Sequence, residues 1–89
     1  MNSQKLDFTT FVLSISSAAM MGLGLVPRGP DQKTEVDLEL AKQNIDLLEL
    51  VKEKTKNNLT QDEQKLLEGL LYETRMRFVE VQKNGAPKN

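Results

Sequence analysis

The chain of 89 residues contains no cysteine, no histidine and no tryptophan, and its aromatic content is three Phe and one Tyr. Without cysteine there are no disulfides to staple a small fold, and without Cys or His the usual zinc sites are excluded. Catalysis loses the side chains most easily tuned to neutral pH, leaving carboxylates, Lys and Tyr. Charge of one sign is also lacking: twelve Lys and Arg stand against thirteen Asp and Glu, with no long single-sign block. A general grip on a phosphate backbone needs clustered cations, so nucleic acid is not an expected partner. Alternating apolar and polar runs are absent as well, which argues against strands.

What is present is one domain's worth of helix-forming sequence. A chain of this length buries only about 60 to 65% of the surface its unfolded form exposes, so its stability is marginal. With staples and metals excluded, association is the remaining means of compensation. Periodicity and capping residues predict an all-α fold of three helices, at about 7–22, 35–54 and 61–82, in a single domain over 1–83 with a flexible tail at 84–89. Asp7 is placed to cap the first helix, which should end near Gly22 or Gly24. Thr34 with Asp37, and Thr60 with Glu63, each read as a capping box. Asn57 and Asn58 suit a left-handed turn. The short link between helices two and three makes them an antiparallel hairpin, and the uncharged N-terminal helix must cover it. The stretch Leu25 to Thr34, with Pro27, Gly29 and Pro30, reads as an exposed connector containing LVPRG, a match to a protease recognition sequence.

Twenty residues from Phe8 to Pro27 carry no charge. Such a run is nearly long enough to span a bilayer, but eight of the twenty are Ser, Thr, Gly or Pro. A helix ending at Gly22 reaches only about 22 Å against about 30 Å of hydrocarbon. Projection places Phe8, Phe11, Val12, Ile15, Ala18, Ala19, Gly22 and Leu23 on a core face, and Leu13, Ser16, Met20 and Met21 on the other. Ser14, Ala18 and Gly22, spaced by four, form a small-residue ridge suited to close helix packing.

Helix two carries Val36, Leu40, Leu47 and Val51 on one stripe and Leu38, Ala41, Ile45 and Leu48 beside it, so it should be covered from two sides. Asn44 within it is expected to satisfy its amide on neighbouring backbone. Helix three buries Leu67, Leu70, Leu71, Phe78 and Val81. On its far side Tyr72, Met76 and Val79 form a second apolar ridge flanked by Glu68 and Arg75, a pattern that fits either a contact surface or a partly exposed Tyr with packed neighbours.

No Ser has a credible base beside it, and the GLG of Gly22 to Gly24 lacks the spacing of a phosphate loop. No catalytic residue, cofactor or metal site is therefore expected. Lys52, Lys54, Lys56 and Lys65 read as solvated lysines at a helix end. The expected function is non-catalytic protein association, most simply with a second copy, through Leu13, Met20, Met21, Tyr72, Met76 and Val79. The alternative is a peripheral membrane or lipid-binding protein whose first helix swings out. The N-terminus carries no convincing signal peptide, so the cytoplasm is the expected location.

The stretches DFTTFVLSISSAAMMGLGLVP and VDLELAKQNIDLLELVKEKTKNNLTQDEQKLLEGLLYETRMRFVEV carry a resemblance. Their motifs are F-x-x-F-V-x-S at Phe8, A-K-Q-x-I-D-L-L at Ala41 and K-T-K-x-N-L-T at Lys54. In these the chain closely resembles the domain of unknown function family 1844, a family of short bacterial proteins. The family commonly has Gly where this chain has Asn57, which keeps a left-handed turn at more strain. The resemblance implies a small, mainly helical cytoplasmic protein, brings no catalytic residues, and makes the uncharged segment and LVPRG normal parts of the domain.

Overall fold

The structure is a computed structural model that describes residues 7–27, 31 and 34–84. Three helices make up the fold: α1 (Phe8–Gly22), α2 (Leu38–Lys54) and α3 (Gln61–Asn84), each packed against the other two. Among the described residues no strand forms beyond one antiparallel bridge between Leu23 and Val36. The exposure expected of Arg28 to Pro30, and the tail from Gly85 to Asn89, lie outside the described residues.

Local chemistry sets most of the boundaries. Asp7 accepts the Thr10 amide at 2.8 Å and starts α1. At the other end Gly24 takes φ 75°, its amide donates to Met21 and the Leu25 amide donates to Met20, both at 3.0 Å. That pair of hydrogen bonds is a Schellman stop, and its positive φ favours a residue without a Cβ. Thr60 and Glu63 form the reciprocal box, with the Thr60 amide 2.9 Å from Glu63 Oε1 and the Glu63 amide 3.1 Å from Thr60 Oγ1. Asn57 stands at φ 70° in the turn between α2 and α3.

The start of α2 departs from expectation. The helix begins at Leu38 rather than near residue 35, because Asp37 itself is the cap and accepts the Leu40 amide at 3.1 Å. Thr34 is exposed and plays no capping part. Val36 is drawn into the bridge with Leu23, and the Asp37 amide donates to the Gly22 carbonyl at 2.7 Å. A contact with the end of α1 thus overrides the local box.

The core gathers all three helices. Val12, Ile15 and Ala19 of α1 meet Ile45 and Leu48 of α2 and Leu67 and Leu71 of α3. A second cluster joins Leu23, Ala41 and Val81, and Phe78 packs against both. Two face assignments are corrected here. Phe11 is 37% exposed, whereas Ser16 is only 6% exposed, so the buried arc of α1 is rotated toward the Ser16 side. On α2 the inner stripe is Ala41, Ile45 and Leu48, while Leu47 is exposed. Asn44 is half-buried, and its amide donates to the Leu40 carbonyl at 2.9 Å.

Gly22 lets α1 and α2 approach closely. A Cβ there would stand 2.6 Å from the Ala41 amide nitrogen and 3.0 Å from the Asp37 carbonyl oxygen, both backbone atoms that cannot swing aside. Gly69, in the middle of α3, has open space around the same position. Gly22→Ala is therefore expected to destabilise the fold by about 1 to 3 kcal/mol. Gly69→Ala should stabilise it by about 0.5 to 1 kcal/mol, and urea unfolding midpoints measure both. The Asp7 carboxyl is held below its ordinary value by the Thr10 amide and then the Thr10 hydroxyl. Its proton affinity is lower folded than unfolded, so the stabilisation is full above the usual carboxylate range and lost as pH falls through the folded value. The gap in unfolding midpoint between wild type and Asp7→Ala should accordingly be open at neutral pH and narrow as pH falls below the ordinary carboxylate range.

Candidate functional site

The antiparallel hairpin has an outer side that α1 does not reach. There, Leu71, Tyr72, Arg75, Met76 and Val79 of α3 line an open groove of about 600 Å³, joined by Lys52 from α2 and by Glu68, Glu80, Lys83 and Asn84. The sequence places these residues together because steps of three and four return to one face of a helix. Leu71 belongs to the core and forms the floor. Tyr72 is 68% exposed and Val79 55%, so the strip above that floor is open to water.

Charge of both signs surrounds the strip. Arg75 pairs with Glu49 of α2 and ties the two helices together beside the groove. Arg77 donates to Glu73 at 3.0 Å and to Glu80 at 3.4 Å. These carboxylates hold the Arg77 proton more tightly than usual, Glu73 first through its hydrogen bond. Glu68 accepts from the Gln64 amide at 3.1 Å. A second hollow of about 500 Å³ continues around the turn, sharing Lys52, Glu68 and Arg75 with the first and adding Thr55, Lys56, Asn57 and Leu59. Lys52 and Lys56, expected only to be solvated, line these hollows.

The six residues expected to form an interface separate into two groups. Tyr72, Met76 and Val79 come together in the α3 groove. Leu13, Met20 and Met21 of α1 do not line it. Leu13 is exposed, whereas Met20 and Met21 are half-buried, Met20 through packing against the Leu23, Ala41 and Val81 cluster. Sequence reasoning missed Lys83 at the far end of the groove, although its spacing of four from Val79 is the available signal. Among the described residues no group of three Asp and Glu is placed to hold a metal ion, and no helix is long and apolar enough to cross a membrane.

Comparison with protein families decides the relationship. The family model for the domain of unknown function DUF1844 matches residues 5–80. The chain belongs to that family. The matched span takes in all of α1 and α2 and most of α3, including Tyr72, Met76 and Val79, while Lys83 lies beyond it. No curated protein and no solved structure matches the chain. The description of DUF1844 assigns no function, and the match spans most of the three-helix frame that carries the groove.

Tyr72 and Val79 are more than half exposed and Met76 is 38% exposed, so the ridge contributes less to the fold of one chain than the core does. Met76→Asp is expected to lower the stability of the isolated chain, measured at low concentration by urea unfolding, by only about 0.5 to 1.5 kcal/mol, from helix propensity, partial burial and the like charges of Glu73 and Glu80. A loss above about 2 kcal/mol would make the ridge part of the core instead.

Proposed function

We propose that this DUF1844 domain is a non-catalytic association module whose partner is a second copy of itself, joined through the groove along α3, in the bacterial cytoplasm that the family resemblance implies. The observation that carries this reading is the exposed Tyr72, Met76 and Val79 strip with charges of both signs around it. An apolar centre inside a charged rim is the usual anatomy of a protein contact, and it is a poor match for nucleic acid, which favours cations alone.

Magnitudes support a weak pairing. Covering the exposed parts of these three side chains yields about 2 to 5 kcal/mol per chain, scaled from about 1.5 to 3 kcal/mol for a fully buried side chain. A twofold dimer buries the strip twice, which brings the gain to about 5 to 10 kcal/mol against association costs of about 4 to 15. The lipid-binding alternative has less support, because an α1 that swung out would uncover Val12, Ile15 and Ala19, which pack against both other helices.

Light scattering behind a sizing column tests the reading. At concentrations up to about 100 µM the mass of the wild type should rise from 10.1 kDa toward twice that value, whereas Met76→Asp stays at one chain's mass. A wild type that remains at the mass of one chain, unaltered by Met76→Asp, contradicts self-association.

A further inference from the structure

We infer that the two copies pair antiparallel along α3, about a twofold axis that crosses the helix between Arg75 and Met76, so that Glu68 of each chain faces Lys83 of the other. This deepens the association reading above and rests on it. The register follows from the groove itself. Glu68 and Lys83 stand at equal distances on either side of the midpoint, about 11 Å along the helix, and Tyr72 and Val79 likewise at about 5 Å. A twofold axis at that midpoint exchanges each residue for its mirror member. Antiparallel pairing therefore sets Glu68 against Lys83 and the large Tyr72 ring against the small Val79, with Met76 against the aliphatic stem of Arg75.

Parallel pairing would match every residue with its own copy. Glu68 would then meet Glu68 at one end of the contact and Lys83 would meet Lys83 at the other, while Tyr72 crowded Tyr72 and Val79 left a gap against Val79. Like charges directly opposed disfavour that orientation, and the antiparallel one converts both ends to attraction. Both end charges are available for it. Lys83 is exposed and has no ion pair among the described residues, and Glu68 is engaged only by the neutral Gln64 amide. The remaining charges of the groove fit the same arrangement. Arg75 is already held by Glu49 of its own chain and Glu80 by Arg77, so neither demands a partner in the second copy.

The experiment is sedimentation equilibrium of the full chain carrying Glu68→Lys, Lys83→Glu or both, with helix content and unfolding midpoint checked for each. Because each reversal acts twice in a symmetric dimer, either single variant should weaken dimerisation by about tenfold or more. The double variant re-forms the pairs with signs exchanged, and its dimer constant should return to within about threefold of wild type. Single variants that dimerise as well as wild type would overturn the antiparallel register while leaving self-association standing. A double variant as weak as the singles would overturn it too, since the two charges then do not meet. A monomeric wild type would instead overturn the association reading itself.

Discussion

The Asp37 amide and the Gly22 carbonyl, 2.7 Å apart, hold the end of α1 against the start of α2, and the rest of the domain is arranged around that contact. It works only because Gly22 has no Cβ to strike the Ala41 backbone. Once α1 is pinned there, the Schellman stop at Gly24 and the bridge between Leu23 and Val36 turn the chain back on itself. Val12, Ile15 and Ala19 are thereby laid over the hairpin, where they complete a core with Ile45, Leu48, Leu67 and Leu71. A chain this short has little burial to spare, so a shift at this joint would be felt throughout.

The same placement decides what stays open. Lying over the Leu67 and Leu71 side of α3, α1 leaves the Tyr72, Met76 and Val79 side to be flanked by α2 alone. Arg75 and Glu49 tie the hairpin along that edge but do not cover it. An apolar strip that none of the described elements of one copy covers is the physical basis of the proposed pairing. With no cysteine in the chain, a disulfide cannot reinforce so small a core, and burial against a second copy can.

Most of the fold was legible in the sequence because its determinants are local. Asp7, the Thr60 and Glu63 box, and the left-handed Asn57 act within a few residues of themselves, so their roles follow from spacing. The start of α2 was not legible, since the pull on Val36 and Asp37 comes from Leu23 and Gly22 at the far end of the connector. The rotation of α1 that buries Ser16 and exposes Phe11 likewise depends on where two other helices lie. At the candidate site, spacing alone revealed the α3 ridge. It could not tell that Met20 is drawn toward the core, or that Leu13 and Met21 line a different part of the surface from Tyr72.

The absence of cysteine makes one measurement especially direct, because a single introduced cysteine can carry a spin label with no background. Pulsed electron spin resonance between the two copies would be recorded with the label at Gln61 and, separately, at Gln82, both exposed on α3. Antiparallel pairing centred between Arg75 and Met76 separates the labels along the axis by roughly 44 Å at Gln61 and roughly 20 Å at Gln82. Equal and short distances at both positions, near the spacing of about 10 Å between packed helices, would contradict the antiparallel account, and no dipolar signal at either would contradict pairing altogether.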